Sequence, residues 1–480
     1  MSGLFGTLDI AARGLLVTQN GIRVTSHNTA NVETPGYTRQ RQLLTAAPAI
    51  PHPAGAIGTG VEQQGIQRVS DELLHRQFVS ADARAAAFGV EANALDVVQE
   101  LFNEQSGPGL GARISALYDA FEDVASATTP GAPVERGSLR TAAQSLIDAF
   151  RGVDAELRRA LKDADRSAVA LLDSINGLAR DIAALNRAIV REEAVAPAND
   201  LRDRRDALVR ELAKKVEISS FEQSDGSVVV MVARGLALVE GTTARSLVAQ
   251  TDLANPFDPT VSRILFDLGP TQADVSDDLG GGELGGHLQV RDQLVPDAIR
   301  ELDVLAYNLA AQVNAVHQLG VGRDGSTGDF FAAPAQVEDA ARDLALAPAI
   351  LASPDAIAAG LTSDPGDNRN ALALAALRTT ATPFYLPGDP PGPPTGAART
   401  ALDHHGFLVG DLGERARVAA GAHDVQARVL GELEARRESM SGVSLDEEMI
   451  KLIRLESAYQ ANGRVIATIQ TLLDALVQLV

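Results

Sequence analysis

The residues from 139 to 189, LRTAAQSLIDAFRGVDAELRRALKDADRSAVALLDSINGLARDIAALNRAI, decide the fold of this 480-residue chain. Their apolar positions recur at steps of three, four or seven, which is the period of one face of an α-helix. The series consists of Leu139, Leu146, Phe150, Val153, Leu157, Leu161, Ala164, Ala168, Leu171, Ile175, Leu178, Ile182, Leu185 and Ile189. About 50 residues at ~1.5 Å each give a helix of roughly 75 Å, which needs partner helices along its length. We therefore expect an elongated, mainly α fold, a long-helix bundle or coiled coil.

Amphipathic helices are also predicted at both ends of the chain. The N-terminal series is Leu4, Leu8, Ala11, Leu15 and Ile22. The C-terminal series is a heptad repeat, Leu445, Leu452, Tyr459, Ile466, Leu473 and Val480, with Leu455, Ile469 and Leu476 between its members. Glu448 and Asn462 are its polar interruptions. Either series alone is equally explained by an internal core, but two such helices at the extreme ends favour pairing of the termini or polymerisation.

Between these helices, the sequence predicts a small inserted β domain. VVVMV (228–232), LALV (236–239) and RILF (263–266) are short apolar runs separated by turn-forming residues, which is the pattern of hairpins. The predicted division of the chain is 1–60, a terminal helix and turn; 61–215, long helices; 216–275, the β domain; 281–382, a helical segment with a loop; 383–398, a loop rich in Pro and Gly; and 399–480, C-terminal helices that pair with the N-terminal region.

The composition argues against several classes of function. Acidic residues outnumber basic ones 63 to 42, giving a formal charge of −21, so nucleic acid and anionic membranes are not expected as partners. The absence of Cys removes disulfides and thiolate chemistry. No apolar run approaches the ~20 residues of a membrane span, and the N-terminus lacks a cleavable signal pattern. We predict no catalytic, metal-binding or cofactor-binding residues, and therefore no enzyme.

Several polar motifs have a structural interpretation. The segment 277–286, DDLGGGELGG, lacks the ending of a phosphate loop and predicts a turn leading into a helix. His404 and His405 are adjacent and cannot face one metal from one side of a helix, so we expect an exposed loop or helix start. Ser444 and Glu447 predict a capping box. Between residues 200 and 211, basic residues alternate with acidic ones, which predicts a solvated helix face with i, i+4 ion pairs. The basic residues are Arg202, Arg204, Arg205 and Arg210.

Both terminal segments resemble a known family. SHNTANVETPGY (26–37) resembles the N-terminal signature of bacterial flagellar rod, hook and hook-associated proteins, the flagellar axial protein family, and SGVSLDEEMIKLIRLESAYQANGRVIATIQTLLDAL (441–476) resembles its C-terminal signature. APANDLRDRRDALVRELAKKV (196–216) and GGELGGHLQVRDQLVPDAIRELDVLAYNLAAQVNAVHQLG (281–320) are similar to segments of the hook-associated members that join hook to filament. The similarity covers most of the chain and is weakest in the predicted β domain and around residues 383–398.

The resemblance implies a structural subunit of the bacterial flagellum without catalysis. Such subunits form a short helical ring with further copies of themselves, between the hook subunit and the next hook-associated protein. The family is exported by the flagellar type III route without a cleaved signal, and a flagellar export chaperone holds its C-terminal helix. The alternatives are another axial protein of the hook or distal rod and, from a different class, a secreted coiled-coil adhesin whose β domain binds a ligand.

The resemblance also implies an assembly interface at the paired termini. In this interface, the polar residues after the first helix would cap it and direct the chain outward, since Asn side chains satisfy helix-end groups and a tight turn fixes the exit direction. The implied residues are Leu4, Leu8, Leu15, Ile22, Asn28, Asn31, Thr34, Pro35, Gly36, Tyr37, Leu445, Leu452, Leu455, Tyr459, Ile466, Ile469, Leu473 and Leu476.

Overall fold

The computed structural model describes residues 3–51, 55–102, 109–129 and 131–478, and these form a mainly helical protein. Of the predicted terminal segments 1–60 and 399–480, residues 1, 2, 52–54, 479 and Val480 lie outside these ranges. The helices are α1 Gly3–Ala30, α2 Glu72–Leu101, α3 Leu110–Ser126, α4 Pro133–Glu193, α5 Asn199–Lys215, α6 Gly282–Gln289, α7 Val295–His317, α8 Ala340–Asp343, α9 Pro348–Ala352, α10 Arg369–Ala376, α11 Ala401–Ser441 and α12 Leu445–Gln478. A π-helical segment, Val290–Leu294, joins α6 to α7, and two 3-10 turns lie at Ser276–Asp278 and Pro354–Ala356.

In the part of the chain that the structure describes, the strands form five small antiparallel sheets. They are β1 Gln40–Ala46, β2 Val61–Arg68, β3 Ile218–Glu222, β4 Val228–Val232, β5 Leu236–Glu240, β6 Thr243–Ala244, β7 Leu247–Thr251, β8 Ser262–Asp267, β9 Gln272–Asp274, β10 Phe331–Ala332, β11 Ala345–Leu346, β12 Thr382–Pro383 and β13 Ala398–Arg399. The three apolar runs of the predicted β domain lie in β4, β5 and β8. Strands β3 to β6 form one sheet in sequence order, and β7 to β9 form another.

Helix α4 confirms the long central helix and is longer than the apolar series suggested. It has 61 residues, or about 90 Å at ~1.5 Å each, and starts with a proline, which is compatible with the first turn of a helix. Leu139 and Phe150 in its first half are fully buried in a helical core that includes residues of α3 and α7. Ile175 and Ile182 in its second half are buried with α5 and the strands of the inserted region. The one helix therefore connects two hydrophobic cores.

The two chain ends meet in a separate group of elements, which we call the terminal unit: α1, β1, β2 and α12. Helix α1 packs along α12, and the β1–β2 hairpin contacts α1. Gln40 pairs with Arg68 at one end of the hairpin and Ala46 with Val61 at the other. The sequence did not predict this hairpin. The remaining elements, α2 to α11, form the body, in which α11 packs along α2.

The structure corrects the expectation that His404 and His405 are exposed. They lie near the start of α11, which agrees with the predicted helix start, but both side chains are buried. The ring of His404 lies 5.0 Å from that of Phe384, and its Nε2 is 3.2 Å from Glu301. A capping box of Thr400 with Asp403, which the sequence analysis missed, begins the helix. Adjacent histidines alone cannot reveal that neighbouring segments cover them.

Candidate assembly interface

The pairing of α1 with α12 brings together many of the residues that the sequence analysis assigned to assembly. On α1 the predicted apolar residues are half-buried: Leu4, Leu8, Leu15 and Ile22. On α12, Ile469 is the most deeply buried of the series, with 4% of its surface exposed. Its half-buried companions are Leu452, Leu455, Ile466 and Leu473. The structure leaves three predicted residues of α12 exposed, namely Leu445, Tyr459 and Leu476, and Thr34 and Pro35 in the turn after α1 are exposed as well.

Two glycines of α1 set how closely the helices approach. A Cβ atom on Gly14 would lie 2.9 Å from the side-chain amide of Asn462, and one on Gly21 would lie 2.9 Å from Cδ2 of Leu455. Cβ atoms in proteins essentially never lie this close to another heavy atom, so a larger residue at either position would push the α12 side chain away. Each glycine therefore leaves room for a residue of α12. Gly21 follows Gly14 by seven residues along α1, whereas its partner Leu455 precedes Asn462 by seven residues along α12. The helices are therefore antiparallel, and Asn462 occupies a fitted place in the contact.

A second apolar face of α12 lies outside its contact with α1. Met449, Ile450 and Ile453 are each more than half exposed, and Ile453 follows Met449 by four residues and Ile450 by three, so both are its neighbours on the helix surface. Phe5 and Leu16 on α1 are likewise more than half exposed. Single exposed apolar residues are common, but adjacent ones of this size are typical of a contact surface. The terminal unit thus presents apolar groups that the described chain does not cover.

The side chain of Asn28 connects the end of α1 to the start of β1. It is fully buried, its Nδ2 donates a hydrogen bond to the backbone carbonyl of Gln40 at 2.9 Å, and its Oδ1 accepts from the backbone N–H of Gln40 at 3.0 Å. The hydroxyl of Tyr37 also donates to Oδ1, at 2.7 Å. The amide thereby satisfies both backbone groups of Gln40, as a neighbouring strand would, and fixes where the strand begins relative to the helix.

The turn after α1 reverses the chain within a few residues. Asn31 donates from Nδ2 to the carbonyl of His27 at 2.9 Å, which satisfies a group near the helix end. The backbone N–H of Tyr37 donates to the carbonyl of Thr34 at 3.2 Å, closing a β-turn through exposed Pro35. Gly36, in the third position of this turn, has a φ of +83°, which favours glycine. These contacts end α1 and lead the chain toward β1.

Arg39, which the sequence analysis did not single out, links this turn to the junction of α11 and α12. Its backbone N–H donates to the carbonyl of Ser441 at 3.0 Å. Its guanidinium pairs with Glu447 at 2.7 Å and with the fully buried Glu448 at 3.1 Å. The predicted capping box is therefore only half present, because Glu447 donates its backbone N–H to the hydroxyl of Ser444 at 3.4 Å while its carboxylate pairs with Arg39.

Of the four arginines that the sequence analysis assigned to a solvated face of α5, only Arg204 is exposed. Arg205 is 1% exposed and pairs with Glu222 at 2.8 Å. Asp203 is buried, accepts a hydrogen bond from the backbone N–H of Thr38 at 3.0 Å and pairs with Arg68 at 2.7 Å. Burial raises the pKa of the Asp203 carboxyl, and Arg68 opposes that rise. The prediction was wrong because alternating charges do not show that other elements cover both sides of a helix.

The terminal unit therefore has exposed apolar surfaces on its two helices, and its buried polar side chains form hydrogen bonds and ion pairs between segments of the chain. Across residues 3–51, 55–102, 109–129 and 131–478, no cluster of three or more His, Asp or Glu side chains is placed to hold a metal ion. None of the helices within those ranges is both long enough and apolar enough to cross a membrane.

Comparison with known families matches two parts of the chain. Residues 95–331 match the family model for the helical domain of flagellar hook-associated protein FlgK. Residues 436–479 match the model for the C-terminal region of the flagellar basal body rod proteins FlgEFG. The second match includes all of α12 and the end of α11, and the first includes α3, α4, α5 and the strands of the inserted region.

Whole proteins and a solved structure are also similar to the chain. It is 26% identical to flagellar hook-associated protein 1 of Bacillus subtilis, over 99% of the chain and 98% of that protein. It is 27% identical to the protein of the same name from Salmonella typhimurium, over 98% of the chain and 99% of that protein. The structure of the flagellar hook junction protein FlgK from Burkholderia pseudomallei matches the fold with a TM-score of 0.66 at 16% identity, over 76% of this chain and 100% of that one.

Proposed function

The chain belongs to the flagellar hook-associated protein 1 family, and from this premise we propose that it is a structural subunit that joins hook to filament in the bacterial flagellum. It assembles with further copies of itself through the terminal unit. The predicted interface residues on α1 and α12 form the contact within each subunit, and the exposed face of the pair forms the contact between subunits.

The observation that carries this proposal is the exposed apolar face of the helix pair. Met449, Ile450 and Ile453 lie beside one another on α12, outside its contact with α1. A subunit that remained single would leave these groups in water, whereas burial contributes about 25 cal/mol per Å² of apolar surface. Fully burying one such side chain is worth roughly 1.5 to 3 kcal/mol, and burying the exposed half of each gains about half of that. Because association itself costs free energy, the contact between subunits needs further apolar residues, such as the exposed Phe5 and Leu16 of α1.

The charge distribution supports the same arrangement. Residues 1–60 carry four arginines against Asp9 and Glu33, so this end of the chain is slightly basic although the whole chain has a charge of −21. The acidic excess lies mainly in the body. Subunits that stack through their terminal units therefore meet with little electrostatic repulsion, while the acidic body remains in solvent.

The neighbours and the route of export are part of the proposal. The hook subunit and the next hook-associated protein would contact the two ends of the ring that the subunits form. A flagellar export chaperone would cover the apolar face of α12 before assembly, because this face is exposed in the single chain. Export would follow the flagellar type III route without a cleaved signal, and the Cys-free chain would avoid mispaired thiols outside the cell.

The proposal predicts that Ile453→Asp prevents assembly while the subunit folds normally. Ile453 is 58% exposed, so a charge there costs the monomer little, but it would be buried without a partner between subunits. The variant is expressed in cells that lack the native chain, and attached filaments and swimming are scored. Far-UV circular dichroism of the purified variant reports the fold.

Leu253→Asp is the matched control. Leu253 is 82% exposed and lies in the inserted region, so the same chemical change occurs away from the terminal unit. We expect normal filaments with this variant. Normal filaments on cells that carry Ile453→Asp would contradict assembly through this face.

A further inference from the structure

Helix α5 has two charged faces that contact different parts of the molecule. One face consists of Asn199, Asp200, Asp203 and Asp206, which we call the clamp residues; they are spaced so that they lie along one side of the helix. The other face includes Arg202 and Arg205. The sequence analysis assigned these charges to solvent, and the proposed function makes no use of them.

The clamp residues contact the terminal unit along the strands and the segments that lead into them. Asp200 accepts a hydrogen bond from Nε2 of Gln40 at 2.8 Å. Asn199 donates from Nδ2 to the carbonyl of Ile66 at 3.1 Å. Arg68, at the end of β2, pairs with Asp203 at 2.7 Å and with Asp206 at 2.8 Å. A short helix from the middle of the chain thus contacts both strands of the terminal hairpin.

The opposite face fastens α5 to the body. Arg205 donates to the carbonyl of Gly226 at 2.6 Å in the turn between β3 and β4, in addition to its pair with Glu222. Arg202 pairs with Glu193 at the end of α4, at 2.6 Å. Arg210, which follows Asp206 by four residues and so lies on the clamp side of the helix, pairs with Asp82 of α2 at 2.9 Å. Because these contacts reach α2, α4 and the strands, α5 cannot shift without disturbing the body.

The chain passes between the terminal unit and the body only at a narrow neck within the described residues 3–51, 55–102, 109–129 and 131–478. The two crossings lie near Val69, between β2 and α2, and near Ser441, between α11 and α12. Arg39, in the segment between α1 and β1, hydrogen-bonds both, donating to the carbonyl of Ser441 at 3.0 Å and accepting from the N–H of Val69 at 2.8 Å. Two short crossings form a joint that bends easily unless something outside them fixes its angle.

We propose that α5 is a clamp that sets the orientation of the terminal unit relative to the body, with Asp203 and Arg68 as its main positioning residues. The side chains of both residues are only 9% exposed, so salt screens their interaction weakly. Asp203 also accepts the backbone N–H of Thr38 at 3.0 Å and so holds the segment in which Arg39 contacts both crossings. For assembly, this inference rests on the proposed function, because the orientation matters only if the terminal unit is the polymerising part.

The test measures the orientation directly in the purified full chain. The protein has no Cys, so two introduced cysteines are the only sites for spin labels. Gln19→Cys on α1 and Ala184→Cys on α4 are both at exposed positions, one in the terminal unit and one in the body. Pulsed electron double resonance then gives the distribution of distances between them. We expect a single narrow peak in the otherwise unchanged chain, and loss of that peak to a broad distribution with Asp203→Asn.

Two controls separate positioning from general damage. Asp173→Asn makes the same change at an exposed site on α4, and we expect it to keep the narrow peak. A second label pair, Ala184→Cys with Leu372→Cys, lies wholly within the body and is expected to give the same distances with and without Asp203→Asn.

Two outcomes would overturn the clamp. One is a narrow peak between positions 19 and 184 that survives both Asp203→Asn and the double variant with Asp206→Asn. The other is broadening of the body pair to the same extent, which would show a loss of folding in place of a loss of orientation. Because the distance measurements need no polymer, Ile453→Asp tests the proposed function independently. If cells that carry Ile453→Asp made normal filaments, the proposed function would be contradicted, but the distances measured for Asp203→Asn would be unaffected.

Discussion

Replacing Asn28 by Ala tests whether one side chain holds the end of α1 to the start of β1. The change removes three hydrogen bonds, two with the backbone of Gln40 and one with the hydroxyl of Tyr37. It also leaves the N–H and C=O of Gln40 without these partners at a buried position. The loss therefore has two parts, the contacts themselves and the desolvation of the groups that remain.

The magnitude follows from the number of contacts. A typical hydrogen bond contributes about 0.5 to 1.5 kcal/mol net, and each buried backbone group left unpaired costs about 1 to 3 kcal/mol. The two costs overlap, so we expect a loss of roughly 3 to 5 kcal/mol. Opening of the terminal unit costs less than global unfolding, so the effect falls mainly on local opening. Each 1.4 kcal/mol changes the equilibrium constant for local opening about tenfold. A loss of roughly 3 kcal/mol or more should therefore make the amides near Gln40 exchange about 100-fold faster or more.

Hydrogen exchange with mass spectrometry on peptides from residues 21–46 measures this change, and peptides from α4 report whether the body is affected. Asn31→Ala is the matched control. Asn31 is half-buried and its side chain contacts only His27 and Thr34 in the turn, not the backbone of β1, so its loss should be about 1 kcal/mol. Exchange near Gln40 that is as slow in Asn28→Ala as in the unchanged chain would refute the assigned role of Asn28. If amide exchange near Gln40 were equally accelerated in Asn28→Ala and Asn31→Ala, Asn28 would have no specific role in fixing the start of β1.

Two further predictions concern burial. Ile469→Asp places a charge in the helix contact, so α12 should separate from α1 and filaments should be lost, whereas exposed Thr468→Asp should preserve both; filament counts and exchange in residues 445–478 measure this. Burial lowers the pKa of His317, whose Nδ1 lies 2.7 Å from the carbonyl of Gly328 and whose Nε2 accepts the N–H of Ala358. Its contribution to stability is therefore present above the ordinary pKa of 6.5 and lost as the pH falls. Between about pH 8 and pH 5, the melting temperature of His317→Gln should fall less than that of the unchanged chain; an equal fall would count against this role.

The long helices were predictable because their signal is periodic and local. The series from Leu139 to Ile189 marks one face of α4 without reference to any other element, and the terminal series do the same for α1 and α12. The strands β4 and β8 were predictable for a similar reason, because short runs of Val, Ile, Leu and Phe between turn residues favour buried strands.

The β1–β2 hairpin was not predictable in this way. Its strands, QRQLLTA and VEQQGIQR, contain mostly polar residues, and Leu43 and Leu44 are exposed. Neither strand shows the alternation that marks a half-buried strand. The hairpin is held instead by side chains distant in sequence, such as Asn28 and Asn199. A pattern that depends on partners elsewhere in the chain leaves no local signal.

The same reason explains why α5 was misinterpreted. Its sequence shows four arginines among acidic residues, and intrahelical pairs satisfy such a pattern as well as tertiary ones do. Only the folded chain shows that Arg205 faces Glu222 and that Asp203 faces Arg68. Charge patterns therefore indicate that a helix is polar, but the identity of its partners depends on the tertiary fold.

Glu448 and Asn462, the two polar residues in the apolar C-terminal series, were visible in the sequence, unlike the partners of α5. The structure shows that each of them has a specific partner. Glu448 is fully buried beside Arg39, and Asn462 fits against Gly14. Sliding α12 along α1 by one heptad would preserve the apolar spacing but would bring Leu455 or Ile469 opposite Gly14. It would also separate Glu448 from Arg39, and breaking a buried ion pair in this way costs about 3 to 5 kcal/mol. Apolar residues alone would accept either register, so the polar residues of the contact select one.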